Sequence, residues 1–572
     1  MIDVFLLTDM RKIIYENGNE VEIDSIITNI DIDFECKKFL KYIENQKVNN
    51  MKIKDMYLWE NIEIYNFFRA SYADTLKDII GNVILGESIL KELEEKEFLV
   101  KTDSSLIVDI FRNVLKIKNV EYVENIKQIT DSCKSNYDRI AIRLIKGICK
   151  LFKYKLAKSK KDNVLIFTQV GSINSLKIGE DNIQYDSLYG IIRDQLIEKS
   201  NLCEVQFLNS RNMISKSELL GSNFIPFEII QIFKKIEQRI SKLTIKNELR
   251  YIDEFDYVYK NYNLNNIIKE KLINVLPDTY NSYILEIKVW ERLLKFLKIK
   301  KVITVDEADR PRCLIVAANR LNLKSFAIQH GLINETSSAY LIPSKDEILI
   351  PSTTFLWGNS FKELLIKNTN VYKDKNVQII GQPRTDYLHK KIKDKQFDKD
   401  NKKKILFVTQ PIEDLAQGAI NMLCESLANL ENYKLIIKLH PADKLYKMYE
   451  ACCIKNGITN YEITKELDIY DALIWCDLII SVHSTVVLEG AILNKPSICI
   501  LLPKYNDEGN FVKSGLSMGA SSSNELCKLL SDSEVLKKIN YEPFIKDNFY
   551  KIDGQVYIRA IDRILEGESM HV

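Results

Sequence analysis

Residues 477–500 read DLIISVHSTVVLEGAILNKPSICI. Two short apolar runs, LIIS and SICI, flank a segment, VVLEGAIL, whose apolar spacing is helical. Strands that are apolar throughout, without polar alternation, suit a sheet covered on both faces, and parallel neighbours in such a sheet require a crossover helix between them. Working backwards, the same alternation holds. KILFVTQP (404–411) and YKLIIKLHP (433–441) read as strands, ADKLYKMYEACCIKNG (442–457) as a helix, TNYEIT (459–464) as a strand and LDIYDALIWC (467–476) as a helix. This predicts an α/β fold with a parallel doubly wound sheet, whose ligands bind beyond the carboxyl ends of the strands.

A second set of the same kind lies upstream. VLIFTQVGS begins a strand at 164, a helix follows near 186–198 and a strand near 203–207. A long helical stretch then runs to about 298, before KVITVD, a helix and SFAIQH. The expected domains are therefore 160–345, with a helical insertion, and 346–548, opening with DEILIPSTTFLWG and VQIIGQP. A terminal helix falls within 549–572. Two lysine-rich segments, KYKLAKSKKDN (153–163) and KKIKDKQFDKDNKKK (390–404), read as linkers, with anionic lipid headgroups as their alternative partner. Residues 1–155 show helical spacing, notably in SYADTLKDIIGNVILGESILKELEEKE, and read as a helix-rich region of unassigned role. IDVFLLTD and EFLVKTD leave a small α/β unit open there.

Composition narrows the functional classes. A chain of 572 residues implies roughly three or four structural units. With 46% hydrophobic and 28% charged residues it is an ordinary globular sequence. The 81 Lys and Arg against 79 Asp and Glu leave a net charge of +2, so no global field favours nucleic acid. Eleven scattered cysteines form no disulfide framework and suit a reducing cytoplasm, and the five histidines lack the spacing of a metal cage. No apolar run is long enough to span a bilayer, and no metal or cofactor is expected. The phosphate loop, the dinucleotide fingerprint and the serine elbow are all absent.

The candidate functional residues sit where the pattern places strand ends. Ser481, His483, Ser484 and Thr485 follow DLIIS, where Ser484 or Thr485 can cap a helix and its first N–H groups can attract a phosphate. Glu489, four residues after Thr485, falls on the same helical side and can accept hydrogen bonds from a ribose diol. Lys438 and His440, two apart on one strand, point to one face and can reach phosphate oxygens. Asp306, Glu307 and His330 end two strands of the upstream set, and each is chemically able to act as base toward an acceptor hydroxyl. The pattern does not select among them, and Asp306, Glu307 and Asp309 with Arg310 and Arg312 read equally well as a charge-compensated helix start. Gly381, Arg384, Thr409 and Gln410 complete the candidates.

Taken in order, VDEADRPRCLIVAANRLNLKSFAIQHG, FLWGNSFKELL, IIGQPRTDYL, LFVTQP, KLHP, SVHSTVVLEGAILNKPSICI and KIDGQVYIRAIDRIL resemble the GT-B type glycosyltransferases of bacterial surface and capsular polysaccharide biosynthesis. The likeness is to the group that includes polysialyl, Kdo and CDP-glycerol transferases and covers about 160–566. It implies two Rossmann-like domains facing a cleft. It also implies a metal-independent transfer of a sugar from a CMP-, CDP- or UDP-linked donor to a hydroxyl of a glycan or lipid-linked acceptor. His440, Ser484 and Thr485 would lie at the donor phosphate, and the enzyme would be cytoplasmic or peripheral on the inner membrane face. A UDP-N-acetylglucosamine 2-epimerase shares the two-domain fold and the GQPRTD-like segment, but SVHSTVVLEG replaces its usual glycine-rich stretch. A catalytically silent scaffold of a polysaccharide assembly complex is the alternative outside enzymes.

Overall fold

The computed structural model describes residues 3–7, 12–14, 20–22, 32–93, 98–102, 104–122, 134–157, 160–178, 181–208, 213–219, 224–241, 254–270, 276–305, 307–393, 402–428, 430–440, 443–502, 505, 507, 511–532 and 540–566. Two compact units emerge: residues 1–174, 184–384 and 555–572 form the first, and 175–183 with 385–554 the second.

The N-terminal part of the first unit is an α/β module. Strands β1 (Asp3–Leu7), β2 (Lys12–Ile14), β3 (Glu20–Glu22), β4 (Phe98–Thr102) and β5 (Val120–Tyr122) make a mixed sheet in the order β3-β2-β1-β4-β5, with β1 and β4 parallel. The strand runs noted near 2–9 and 97–103 thus pair directly. Helices α1 (Ile32–Asn45) and α2 (Tyr65–Leu93) pack together. Buried arginines tie them to the rest of the unit. The Arg69 guanidinium pairs with Glu44 at 2.6 Å and also donates to the Ser338 and Leu341 carbonyls. Arg312, fully buried, donates to the Asn66 and Ala339 carbonyls. A buried guanidinium is costly unless its donors are met, so these bonds fix the module against residues 335–343.

After α3 (Lys134–Leu156) the chain builds the first parallel sheet. Its strands are β6 (Asn163–Gln169), β7 (Asn201–Phe207), β8 (Phe224–Pro226), β9 (Lys301–Val305), β10 (Lys324–Ile328), β11 (Thr353–Leu356) and β12 (Val377–Ile379), ordered β8-β7-β6-β9-β10-β11-β12 and parallel throughout. Helices α4 (Ile191–Lys199), α5 (Glu228–Ser241), α6 (Leu276–Leu297) and α7 (Asp309–Arg320) belong to it. The boundary expected at 345/346 is therefore corrected. The runs STTFL and VQII are the sixth and seventh strands of this sheet, and the chain leaves it only at Arg384. The stretch 331–352, between β10 and β11, belongs to the same unit.

The second unit holds β13 (Lys403–Val408), β14 (Tyr433–Lys438), β15 (Tyr461–Thr464), β16 (Leu478–Ser481), β17 (Ser497–Ile500) and β18 (Met518–Ala520), ordered β15-β14-β13-β16-β17-β18 and parallel. Helices α8 (Glu413–Leu427), α9 (Tyr446–Lys455), α10 (Ile469–Trp475), α11 (Val486–Ile492) and α12 (Ser523–Ser531) are its crossovers. Phe407, Leu435, Ile437, Ile480 and Ile498 share one core with Ala419, Leu423 and Tyr449 from the helices. The expected alternation holds here element by element. The last helix, α13 (Val556–Leu565), returns to the first unit, where Val556, Ala560, Ile561 and Ile564 pack with Tyr189, Ile192 and Leu196. Its Arg559 donates to the Ile380 carbonyl at 2.7 Å.

Two expected outcomes follow from this packing. Gly190 has φ +56°, and a Cβ there would meet the Pro383 carbonyl oxygen at 2.5 Å. Gly190→Ala is expected to cost about 1–3 kcal/mol in urea unfolding, from strain and backbone displacement together. Asp186 is buried, and burial pushes its carboxyl from 3.8 up to about 6 although the Leu188 and Tyr189 N–H groups donate to it. Because the folded pKa exceeds the unfolded one, stability is lost as pH rises from about 4 to 6, by at most about 3 kcal/mol. Asp186→Asn should remove that slope, read as the wild-type minus variant stability across the window.

Candidate functional site at the strand ends of the second unit

In the second sheet the first strand, β13, is central; the next two lie on one side of it and the last three on the other. The order therefore reverses between β13 and β16, and a crevice opens where successive crossovers depart in opposite directions. The ends of β14, β13 and β16 lie side by side, about 5 Å apart per step.

The two residues after β13 join the neighbouring runs. Thr409 N–H donates to the Lys438 carbonyl at 3.1 Å, and the Thr409 hydroxyl accepts from His440 N–H at 3.1 Å. The Gln410 side-chain oxygen accepts from His483 N–H at 3.3 Å. KLHP and VHST, separated by some forty residues, are thus held through one dipeptide. Thr409 is itself fixed by a buried carboxylate. Its hydroxyl donates to Asp443 Oδ2 at 2.6 Å, and the Tyr449 hydroxyl donates to the same oxygen at 2.9 Å. Asp443 Oδ1 accepts from Leu445 N–H at 2.8 Å, the Asp443 N–H donates to the His440 carbonyl, and Lys465 Nζ donates to the Asp443 carbonyl. Burial, with Asp443 beside it, pushes the Tyr449 phenol well up, so it remains a donor.

Within this frame the candidates divide. His440 is exposed at the end of β14. Partial burial of its ring holds it below the ordinary histidine value; Asp443 opposes this, while Lys438 and Lys465 add to it. It is therefore neutral at pH 7. Thr485 is exposed and makes no side-chain cap bond, and His483 lies beside Tyr505 with ring centroids 5.9 Å apart. The Ser484 hydroxyl accepts from Val486 N–H at 3.3 Å, the local capping role open to it from sequence. Ser481, fully buried, donates to the Val408 carbonyl and braces β16 against β13. Glu489 is buried, in contrast to the exposed Thr485 one turn earlier. The Lys438 ammonium donates to the Leu439 and Lys465 carbonyls at 3.0 and 3.1 Å. Burial draws its pKa down. Those bonds make Lys438 a brace between the loops after β14 and β15.

The candidates of the first unit sit at its own strand ends. Glu307, expected as a base, is fully buried; it accepts from the Thr354 hydroxyl at 2.6 Å and from the Tyr372 hydroxyl. This corrects the expectation: a carboxylate enclosed by two core donors does not reach a substrate. Asp306 lies outside the described residues. His330 is exposed beyond β10, next to Gln329, whose side chain donates to the Gly331 carbonyl and accepts from Trp357 N–H. Gly381 has φ +94° and turns the chain after β12. Arg384 lies 3.1 Å from the Gln382 side-chain oxygen when that amide is oriented toward it. The charged run after β9 does start a helix, α7, with Arg310 on Glu286 at 2.7 Å. Among the described residues no group of three or more His, Cys, Asp or Glu side chains could hold a metal ion.

Asp443, Tyr449, Lys465 and Tyr505 were not among the sequence candidates. Only the position of Asp443, two residues past the HP pair, carried a signal.

No family model matches the chain. The chain is similar to the teichoic acid glycerol-phosphate primase of Bacillus subtilis (strain 168), with 24% identity over 310 residues, covering 49% of this chain and 78% of that protein. Among solved structures, it is similar to UDP-GlcNAc 2-epimerase from Neisseria meningitidis bound to UDP-GlcNAc (14% identity, TM-score 0.41, covering 70% of this chain and 99% of that one). It is also similar to MurG of Acinetobacter baumannii (13%, TM-score 0.40, 70% and 99%) and to the calicheamicin glycosyltransferase CalG4 (9%, TM-score 0.41, 71% and 98%).

The Asp443 frame can be tested directly. Thr409→Val leaves a buried carboxylate and the His440 N–H each short of one partner, so local opening should become easier by about 1–3 kcal/mol. Tyr449→Phe should cost about 1 kcal/mol, and the double variant should be non-additive because both hydroxyls meet one oxygen. Hydrogen exchange at the β13 and β14 amides measures all three.

Proposed function

We propose that this chain is a transferase that moves a group from a nucleotide-activated donor, with cytidine preferred over uridine, to a hydroxyl of a surface-glycopolymer acceptor. The observation that carries the reading is the order reversal at β13 and β16, with His440, His483 and Thr485 set around the Thr409–Gln410 tether. Such reversals are where doubly wound sheets bind nucleotides. The similarity to a glycerol-phosphate primase supports the polymer class and adds glycerol phosphate to sugars as the group moved.

The chemistry asked of the residues is modest. The donor's phosphate is the leaving group, and its charge grows as the bond to the transferred group breaks. A neutral His440 can donate one hydrogen bond from its protonated ring nitrogen, and Thr485 another from its hydroxyl. The rigid frame beneath His440 spares reorganisation when charge develops. No metal is needed for that stabilisation. Since a phosphate favours the imidazolium form, donor binding takes up protons and should tighten as pH falls toward the lowered His440 value.

A thermal-shift panel of CMP, CDP, UDP and GDP, followed by turnover assays with CDP-glycerol and CMP- and UDP-sugars, tests the reading. A cytidine nucleotide is expected to raise the melting temperature, and His440→Ala should reduce that shift and remove its pH dependence. Nucleotide binding without turnover of any donor would support a scaffold instead. Release of free N-acetylmannosamine from UDP-N-acetylglucosamine would replace transfer by epimerisation.

A further inference from the structure

The helix pair α1–α2 borders a cavity in which the donor chemistry has no part. Arg69 pairs with Glu44, Cys36 Sγ donates to the Ala73 carbonyl at 3.3 Å and Lys77 pairs with Asp33 at 2.6 Å, so the two helices run antiparallel. Between them and residues 335–343 lies a pocket of about 410 Å³. That volume suits a small-molecule ligand. Asp33, Lys37, Lys41 and Asn45 line one wall at steps of four residues, and Tyr65, Arg69, Ala73 and Lys77 line the other in the same rhythm. The third wall is the loop that follows β10. The floor is firmly held, because the Arg69 guanidinium meets both Glu44 oxygens, at 2.6 and 3.2 Å, and two loop carbonyls.

The charges of this pocket separate into two ends. Among the described residues six cations line it, and four are met by acids: Arg69 by Glu44, Lys77 by Asp33, Lys37 by Glu335 at 3.5 Å and Lys54 by Glu63 at 2.9 Å. Two are left over. Lys41 has no ion-pair or hydrogen-bond partner among the described residues, and Lys52 Nζ reaches only the Asn45 side chain, at 3.5 Å. Asn45 follows Lys41 by one helical turn, so Lys41 and Lys52 flank one residue at the end of α1. The other end is acidic. Asp74 has no hydrogen bond or ion pair among the described residues. Burial raises its carboxyl, with Asp78, Asp33 and Asp309 adding to the rise and Lys77 opposing it. Eight residues of helix separate Asp33 from Lys41, a length of about 12 Å. Uncommitted ammonium groups suit a phosphate, and an uncommitted carboxylate accepts hydroxyl protons.

We propose that the α1–α2 pocket binds a phosphorylated polyol or sugar, with its phosphate at Lys41 and Lys52 and its hydroxyls toward Asp74. All the residues that line the pocket belong to the first unit, so this is a site separate from the donor phosphate site. It gives the N-terminal module a ligand of its own. The site does not rest on the transferase reading; only a polymer-linked unit as its occupant does.

Calorimetry on the full chain with glycerol 3-phosphate, glycerophosphoglycerol, inorganic phosphate, glycerol and phosphoethanolamine tests it. The two glycerol phosphate esters are expected to bind at least about tenfold more tightly than inorganic phosphate or glycerol, and to weaken as salt rises. A tighter diester identifies a unit within a polymer as the occupant, and a tighter monoester a free metabolite. Lys41→Ala/Lys52→Ala should weaken ester binding at least about tenfold, and Asp74→Asn should narrow the margin over inorganic phosphate. Lys41 and Asp74 are exposed and Lys52 half-buried, so melting temperatures should hold; Lys41→Gln alone is the milder form. Lys38→Ala, on the same helix but outside the pocket, should change nothing. His440→Ala should leave ester binding intact. Failure of both esters to bind, or binding that survives the lysine variants or is lost with His440→Ala, overturns the proposal. So does tighter binding of phosphoethanolamine than of glycerol 3-phosphate, which would put an ammonium group at the acidic end. A failed nucleotide panel beside intact ester binding overturns the donor reading alone.

Discussion

The hydroxyl of Thr409 is the smallest group on which the arrangement of the second unit's strand ends depends. It has one donor and two acceptor positions; here it gives its proton to Asp443 and takes the amide proton of His440. A buried carboxylate tolerates enclosure only when its oxygens are met, and Asp443 is met by Thr409, Tyr449 and the Leu445 amide. The loop after β14 is therefore pinned by polar bonds with a large penalty for breaking them, not by apolar contact alone. That pinning keeps an exposed histidine in one place.

Much of this architecture was legible in the sequence, because buried parallel strands announce themselves as short uninterrupted apolar runs. KILFV, KLIIK and LIIS each became a strand, and the helices between them fell where the spacing put them. What was misread depended on information a linear pattern lacks. STTFL and VQII look the same whether they begin a new sheet or extend an old one; only pairing partners decide, and these strands pair with β10 and with each other. Glu307 illustrates the same limit at a single residue. A strand end places a residue near a sheet edge, but whether its side chain meets solvent or core donors depends on Tyr372, sixty-five residues away. Asp443 went unseen for the complementary reason, since its partners lie on β13's end and α9 and no spacing rule joins them.

Buried charge recurs as a structural device in the first unit. Arg69, Arg312 and the Arg193–Glu204 pair, at 2.7 Å, each place a bonded guanidinium inside the fold, mostly with backbone carbonyls or a single carboxylate. Such groups add little net stability relative to a well-packed apolar residue, but a wrong docking would strand them without partners. The N-terminal module is accordingly held in one register against residues 335–343, in the loop that follows β10 and His330. Geometry at that strand end is in this way connected to a helix pair that composition alone leaves without a role.

The placement of α13 bears on how the chain is made. Its Val556, Ile561 and Ile564 complete a core whose other walls, Tyr189, Ile192 and Leu196, emerge from the ribosome far earlier. Roughly 180 residues separate the last strand of the first unit from the end of that helix, which at translation rates is on the order of ten to forty seconds. Through that interval the nascent first unit carries an uncovered oily seam. The second unit, made in between, has every strand of its sheet before α13 exists. Vectorial synthesis thus leaves the half that begins first to finish last.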